Sequence, residues 1–140
     1  CIRLLRRSVF DFIIWAYFWY GVHMADMLYR TMGTGCSKVS VIHTSQHDII
    51  TGVWKDGRIG NIRGNRCGNG NFGGTVYHES GSVFVDVSRD TRGYYECLVE
   101  QIIKMFDTGQ SPVTNQEMME VVRFLEAAGE SLTTGREVVL

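Results

Sequence analysis

Three polar side chains in the segment "GVHMADMLYRTM" have the types and spacing that acid–base chemistry requires. His23, Asp26 and Arg30 are spaced i, i+3 and i+7, which places them on one face if the segment is helical. A helix N-terminus disfavours the imidazolium, so His23, just after Gly21, would stay neutral and able to exchange a proton with a hydroxyl. The alternative is a solvated stripe in which Asp26 and Arg30 form an ion pair.

The stretch "RCGNGNFGGTVYHE" contains a second pattern with a known chemical use. Gly68, Gly70 and Gly73 have the GxGxxG spacing of a dinucleotide-binding fingerprint. That fingerprint requires a strand, a tight glycine turn and then a helix whose N-terminus meets the pyrophosphate. The residues after Gly73 have the pattern of a β-hairpin instead. We therefore predict a connecting loop that binds no cofactor.

The other histidines and two of the tryptophans are predicted to be structural residues rather than ligands of a metal or a substrate. His43 and His47 would share a strand face if the strand continued, but no third ligand lies nearby, so no metal site is predicted. His78 alternates with valines and is predicted to be a core histidine. Trp19 and Trp54 are predicted to be core residues rather than a platform for a ligand.

Periodicity and turn signals define the elements that carry these residues. A helix is predicted from Gly21 to Met32, with Gly33 ending it, and a strand follows in "SKVSVIHTSQ". The segment "DIITGVWKDGRIGNIRG" predicts a hairpin with a type I′ turn at Asp56-Gly57. That turn would make two cross-strand pairs, Trp54 with Ile59 and Thr51 with Ile62.

The second half of the chain predicts another hairpin, two helices and an edge strand. "TVYHESGSVFVDV" would turn at Ser80-Gly81 and make two pairs, Tyr77 with Phe84 and Val76 with Val85. The helix in "YYECLVEQIIKMF" would end at Gly109 and bury Tyr95, Leu98, Val99, Ile102 and Phe106. The helix in "TNQEMMEVVRFLEAA" would bury Met118, Val121, Val122 and Leu125, and "REVVL" would add a strand. This order of elements predicts an α+β fold with a largely antiparallel sheet.

Composition limits the classes of function. The 140 residues are 44% hydrophobic and 21% charged, with a net charge of −1, which indicates one globular domain. No run of lysine or arginine follows the N-terminal stretch, so nucleic acid is not expected as a partner. The four cysteines form no C-x-x-C pair and are predicted to be reduced and structural. The apolar run over residues 8–20 is short and contains Asp11, so a buried element is predicted rather than a membrane anchor.

The sequence resembles a known family in three stretches. These are "FWYGVHMADMLYRTMGTGCSKVS", "GVWKDGRIGNIRG" and "YYECLVEQIIKMFDTGQSPVTNQEMMEVVRFLEAAGESLTTG". It is similar to the C-terminal domain of the Gfo/Idh/MocA oxidoreductases over residues 17–140. The resemblance implies an open antiparallel sheet with helices packed on one face. It also implies a two-domain enzyme whose N-terminal Rossmann domain, with the catalytic lysine, binds NAD(P). Neither feature of that first domain has a match in this chain.

The resemblance assigns roles to residues by position. His23 matches the histidine of a G-x-H motif and would contact the substrate hydroxyl and take part in proton transfer. Asp26 matches a recurrent acidic position and would orient the substrate. Many relatives carry an aspartate four residues before the histidine, whereas this chain has Trp19, so the resemblance does not extend to the histidine–aspartate relay of those relatives.

The function implied is the substrate-binding and oligomerisation part of an NAD(P)-dependent sugar or polyol oxidoreductase, inactive as an isolated piece. The implied partners are a sugar or polyol and further copies of the chain through its sheet, with no membrane partner and a cytoplasmic location. Residues 1–16 differ from the family's preceding segment and are interpreted as an atypical leader, with the domain at 17–140. The alternative is a non-catalytic dimerisation or carbohydrate-binding module.

Overall fold

The computed structural model describes residues 17–68 and 70–140. The interpretation of residues 1–16 as a leader lies outside these residues. The described chain forms two compact units, one made of residues 17–68 with 116–140 and the other of residues 70–115. The boundary between them runs through the glycine-rich stretch singled out above.

The first unit begins with continuous helical structure. A π-helical turn, Tyr17–Gly21, leads directly into helix α1, Val22–Met32. Ala25 and Tyr29 are buried on the inner side of α1. The helix ends as predicted at Gly33, which has a φ of 71° and donates its N–H to the Tyr29 carbonyl at 2.7 Å.

A four-stranded sheet provides the framework of the first unit. The strands are β1 Cys36–His43, β2 His47–Trp54, β3 Ile59–Asn65 and β6 Val138–Val139. They lie in the order β3-β2-β1-β6, and every neighbouring pair is antiparallel. The short edge strand predicted in "REVVL" is therefore confirmed, as is the α+β class with antiparallel sheets.

Helix α3, Asn115–Thr134, supplies the other side of the core. Val121 and Leu125 are buried as predicted, whereas Met118 and Val122 are exposed. The buried stripe of α3 is centred on Phe124 instead. The shortest side chains of α3 lie about one turn after Phe124, and they let the helix approach the sheet. The buried residues of α3 are Val121, Phe124, Leu125, Ala127, Ala128, Gly129 and Ser131.

Aromatic rings join the two helices to the sheet. The ring of Tyr29 lies 5.6 Å from the ring of Trp54 and 5.8 Å from the ring of Phe124. Two strand glycines make room for these groups. A Cβ on Gly52 would lie 2.8 Å from Phe124, and one on Gly60 would lie 2.7 Å from Leu28 of α1. Both helices therefore pack on the same face of the sheet.

The turn between β2 and β3 has three residues rather than two. The Trp54 N–H donates to the Arg58 carbonyl at 2.8 Å, and the Gly57 N–H donates to the Trp54 carbonyl at 2.9 Å. A type I′ turn needs a positive φ at both Asp56 and Gly57. Within the described ranges only glycines have a positive φ, and Gly57, at 89°, is one of them. The predicted type I′ turn is therefore wrong.

The longer turn shifts the register of this hairpin by one residue. Ile59 pairs with Val53 and Ile62 pairs with Ile50, each one position away from the predicted partner. Because strand side chains alternate between faces, a shift of one residue exchanges the faces. Ile62 is accordingly buried beside Ile50, and Ile59 is 61% exposed.

The second unit contains a hairpin and a helix. Strands β4, Gly73–His78, and β5, Gly81–Asp86, pair antiparallel, and a short 3-10 turn follows at Val87–Arg89. Helix α2, Tyr94–Thr108, ends at Gly109 in the left-handed conformation, as predicted. All five apolar residues predicted to be buried on α2 are exposed, and no residue of this helix is buried. Helical periodicity therefore predicts which apolar residues share a face of α2, but it does not predict whether that face is buried.

The register of the second hairpin also differs from the prediction. Its turn is formed by residues 79–80, so Val76 pairs with Val83 and Tyr77 pairs with Ser82. Each pair is two positions away from the predicted one. A shift of two residues keeps every side chain on its predicted face, because the strand period is two. The hairpin itself is confirmed, and its predicted pairs are wrong.

No helix in the described part of the chain is long and apolar enough to cross a membrane.

Candidate functional site

The helical start of the first unit has a buried stripe and an exposed stripe. Tyr17, Gly21, Ala25 and Tyr29, spaced every four residues, face the interior. The opposite side carries Trp19, His23, Asp26 and Arg30, all exposed. The prediction that His23, Asp26 and Arg30 share one face of a helix is confirmed in placement; their roles stay a prediction.

Three consecutive aromatic residues precede His23 on the π-helical turn. We call Phe18, Trp19 and Tyr20 the aromatic turn; their exposures are 41%, 61% and 64%. The predicted core position of Trp19 is therefore wrong, while that of Trp54, at 2%, is confirmed. Trp19 precedes His23 by four residues, about one helical turn, so both side chains point to the same side. Aromatic faces near an exposed histidine suit a ligand with an apolar ring face and hydroxyl groups.

The surroundings of His23 differ from the sequence-based argument in one respect. The π-helical turn Tyr17–Gly21 runs into α1 without a break, and Gly21 itself has helical φ and ψ values of −63° and −26°. His23 is therefore not at an exposed helix N-terminus, and the electrostatic argument based on that position does not apply. Arg30 extends from the same stripe to α3, where its Nη1 lies 3.4 Å from Oε1 of Glu117.

A buried carboxylate lies beneath the aromatic turn. Asp48, at the start of β2, is 4% exposed. Its Oδ1 is 2.6 Å from Nδ1 of His43 and 3.1 Å from Nη1 of Arg66, and its Oδ2 accepts a hydrogen bond from Nη2 of Arg66. Arg66 also donates to the Thr44 carbonyl at 3.4 Å. The guanidinium thus binds the carboxylate with two parallel hydrogen bonds, the geometry that fixes both groups most firmly.

Tyr17 completes this arrangement, which we call the Asp48 cluster: Tyr17, His43, Asp48 and Arg66. The phenol is 5% exposed, and burial together with the neighbouring Asp48 charge raises its pKa well above the usual value. Tyr17 therefore remains a neutral phenol near the carboxylate and the guanidinium, and its buried hydroxyl has no hydrogen-bond partner among the described residues. The cluster joins strand β1, strand β2, the residue that follows β3 and the first residue of the π-helical turn.

The Asp48 cluster was not predicted from the sequence, because the predicted first strand ran past His43. The strand ends at His43 and the next begins at His47, so these two histidines lie on different strands. His47 instead places its Nδ1 3.1 Å from Oδ1 of Asn65. The signal that could have found the cluster is the alternation in "HDIITGVW", where Asp48 occupies an inward position of a half-buried strand. A carboxylate there requires a cationic partner.

The glycine-rich stretch forms a connection between strands. Gly68, with a φ of 81°, lies between β3 and β4, and the element after the glycines is strand β4. A Cβ on Gly73 would lie 2.7 Å from the Val85 carbonyl oxygen, so this glycine is needed for close strand pairing. The stretch is followed by no helix that could receive a pyrophosphate, and the prediction of a connecting loop is confirmed.

The remaining candidates from the sequence are accounted for as follows. His78 is exposed on β4, so the prediction of a core histidine is wrong. Cys36, Cys67 and Cys97 are free thiols. Burial raises the pKa of the Cys36 thiol, which makes it a poor nucleophile and agrees with a structural role. Cys1 lies outside the described residues.

Comparisons with known proteins identify the fold. No protein-family model matches the sequence, and no curated protein sequence matches it. The structure of GenD2 from gentamicin A biosynthesis in complex with NAD matches 89% of this chain with a TM-score of 0.74 and 18% sequence identity. A candidate NADPH-dependent oxidoreductase from Desulfitobacterium hafniense matches 86% of the chain with a TM-score of 0.62 and 16% identity.

In both cases the chain spans about half of the matched structure, 48% of GenD2 and 46% of the second protein. At these identities the likeness shows the fold. The chain has the fold of about half of each matched structure, and this fold is the α+β arrangement that the resemblance in sequence implied. Its helices α1 and α3 pack on one face of an open antiparallel sheet.

Proposed function

We propose that the chain is the substrate-binding part of an NAD(P)-dependent oxidoreductase of the Gfo/Idh/MocA type that acts on a CH–OH group of a sugar or polyol. The observation that carries the proposal is the likeness, at a TM-score of 0.74, to half of a structure that contains NAD. The exposed stripe with Trp19, His23 and Asp26 supports a substrate surface on this half.

In this proposal the residues of the chain bind and orient the substrate and exchange its hydroxyl proton. The imidazole of His23 accepts the proton when a carbinol is oxidised and returns it when a carbonyl is reduced. Asp26, one turn along the same face, orients a second hydroxyl. The aromatic turn packs against the apolar face of the sugar ring. Hydride transfer is the contribution of the nicotinamide.

The glycine-rich loop does not fit a dinucleotide, because a strand and not a helix follows it. We therefore place NAD(P) on another domain of the full-length enzyme. A cytoplasmic location is part of the proposal: NAD(P) chemistry and three free thiols both suit a reducing compartment.

The 140-residue chain alone is expected to bind neither NAD nor NADP and to show no dehydrogenase turnover. The reason is that the GxGxxG stretch leads into strand β4 and not into a helix, so it presents no helix N-terminus to a pyrophosphate. Calorimetric titration of the chain with oxidised and reduced cofactors measures binding, and absorbance at the nicotinamide band measures turnover. Stoichiometric cofactor binding by the isolated chain would contradict the proposal.

A second candidate function is dimerisation through the sheet, and the outer face of the first unit favours it. Two apolar side chains of this face, Ile42 and Ile59, are 70% and 61% exposed. Between them runs a polar row in which the hydroxyl of Thr51 donates to Oδ1 of Asn61 at 2.8 Å. A face with exposed apolar side chains on either side of a polar row can pair with its own copy across a two-fold axis.

Replacing Ile59 with glutamate is expected to convert a dimer of the chain to a monomer, because a charge would be buried in the paired face without a partner. Light scattering coupled to size-exclusion chromatography measures the mass. The matched control is Met119→Glu, which adds the same charge at a methionine of α3 that is 68% exposed. A monomeric wild-type chain, or an Ile59→Glu chain with unchanged mass, would rule out pairing through this face.

A further inference from the structure

Helix α2 exposes an apolar face along most of its length. We propose that this face is the contact surface for the NAD(P)-binding half of the full-length protein, and that the contacting half carries an apolar groove bordered by lysine or arginine. The occupant rests on the function proposed above, which places the cofactor on another domain, whereas the surface belongs to this chain alone. We call it the α2 face: Tyr95, Leu98, Val99, Ile102 and Phe106.

The α2 face is a continuous stripe. Its members are spaced i, i+3, i+4, i+7 and i+11, which places them on one side of the helix. Each is between 40% and 81% exposed, and no residue of α2 is buried. Most of the stability of a helix in a protein comes from the packing of its apolar stripe. A helix of 15 residues whose stripe is uncovered is therefore expected to be stabilised by a partner that covers it.

The area of the α2 face fits a protein partner. At about 100 to 200 Å² for each fully exposed side chain, the exposed parts of the five side chains amount to roughly 500 Å². A protein interface of standard size buries about 800 Å² on each partner, and about 60% of that area is apolar. The α2 face therefore has about the apolar area that one side of such an interface needs.

Carboxylates border the α2 face along one side. Glu96, Glu100 and Asp107 are spaced i, i+4 and i+11 and follow that border, while the opposite border is uncharged. Glu100 pairs with Arg92 at 3.2 Å, and within the described residues Glu96 and Asp107 form no ion pair. In an antiparallel pair of two α2 helices the acidic borders would meet and repel each other. The charge of the border therefore favours a cationic partner over a second copy of α2.

Asp107 adds a separate observation. It lies in the last turn of α2, which ends at Thr108 and contains no basic residue. The helix dipole disfavours a carboxylate in this turn, so Asp107 destabilises the isolated helix. A cation of the contacting half beside Asp107 would offset this effect. Replacing Asp107 should therefore have opposite effects on α2 in the isolated chain and in the full-length protein.

The matched structures support the choice of occupant. The chain spans about half of each, so each contains a further portion of similar length. Interfaces between domains of one polypeptide typically bury roughly 600 to 1,500 Å² in total. Two surfaces of the size of the α2 face would bury about 1,000 Å², which lies within that range. In the proposed function the further portion is the NAD(P)-binding half, and we assign the α2 face to it for that reason.

Hydrogen exchange measured by mass spectrometry tests the contact, with the 140-residue chain and the full-length protein compared under the same conditions. The amides of α2 are expected to exchange at least about tenfold more slowly in the full-length protein, because a covered helix opens less often. The reference is strand β2, whose inward residues are buried in the chain alone. Its amides should exchange at similar rates in the two proteins.

Two substitutions on α2 locate the contact. Ile102→Ala removes the centre of the α2 face without weakening the helix itself, since alanine has the highest helix propensity. In the full-length protein it should return the exchange of α2 to the rate of the isolated chain. The matched control is Lys104→Ala, on the opposite side of α2, which should preserve the protection. Asp107→Asn should speed exchange about two- to fivefold in the full-length protein, the scale of one exposed ion pair, and should not speed it in the isolated chain.

The outcomes separate the contact from the proposed function. Equal exchange of α2 in the two proteins would overturn the contact. Protection in the isolated chain that rises with its concentration would also overturn it, because a second copy would then cover the face. A full-length protein with a protected α2 but without NAD(P)-dependent turnover would support the contact and overturn the proposed function. Turnover with an unprotected α2 would overturn the contact alone.

Discussion

His23→Ala in the full-length oxidoreductase proposed above is expected to lower kcat by more than about tenfold, the scale of lost general acid–base help. The imidazole is exposed on the stripe that follows the aromatic turn, where it can contact a substrate hydroxyl. Alanine cannot accept the hydroxyl proton, so water would have to replace the base. Because the loss falls on the transition state, kcat should fall more than KM changes.

The matched control for His23→Ala is His78→Ala. His78 is also exposed and has no catalytic role assigned to it, so its loss should leave kcat unchanged. Asp26→Asn should raise KM more than it lowers kcat, since this residue is assigned an orienting role. Steady-state kinetics with a panel of sugars and polyols gives both parameters. If His23→Ala and His78→Ala have the same kinetics, the stripe at His23 is only a solvated surface and its catalytic assignment is wrong.

The architecture of the first unit could be predicted from the sequence because its signals are local. The apolar spacing before Gly33 defines α1, and the glycine-containing turn at Gly57 defines a hairpin. The register of that hairpin could not be predicted, because Asp56-Gly57 fits both a two-residue and a three-residue turn. The three-residue turn pairs Ile62 with Ile50 and buries both side chains, an outcome that the local turn signal does not contain.

The candidate site, too, could be predicted from the sequence only in part. The placement of His23 and Asp26 on one helix face follows from spacing alone. The Asp48 cluster does not follow from residue spacing, because its members come from four separate segments that only the folded sheet brings together. The exposure of Trp19 was mispredicted for a related reason: an aromatic residue beside an apolar run suggests burial, and only the π-helical turn shows which side it faces.

Gly52→Ala is expected to destabilise the chain by about 1 to 3 kcal/mol, the usual cost of overpacking a core. Gly52 lies in the middle of β2, with α3 packed directly above it. A Cβ there would lie 2.8 Å from Cε2 of Phe124, 2.9 Å from Cζ3 of Trp54 and 3.2 Å from Sγ of Cys36. The two rings are almost fully buried and cannot move aside without opening the core.

Alanine substitutions at two other strand glycines are the comparison for the destabilisation expected at Gly52. Gly60 pairs with Gly52 across the strands, and its Cβ would lie 2.7 Å from Cδ1 of Leu28. That methyl group ends a flexible side chain, so Gly60→Ala should cost less. At Gly64 the nearest atom would be 3.8 Å away, an ordinary contact. Gly64→Ala should be neutral or stabilising by about 0.4 to 1 kcal/mol, because alanine restricts the unfolded chain.

Urea unfolding of the three variants measures the free energies directly. The expected order of stability is Gly64→Ala, then Gly60→Ala, then Gly52→Ala. If Gly52→Ala were as stable as Gly64→Ala, α3 could not lie against β2 as closely as the structure shows. The order follows from what each new methyl group would meet: ordinary van der Waals contacts at Gly64, a movable side chain at Gly60, or two fixed rings at Gly52. The cost of a core methyl group therefore depends on the freedom of its neighbours and not on burial of the glycine alone.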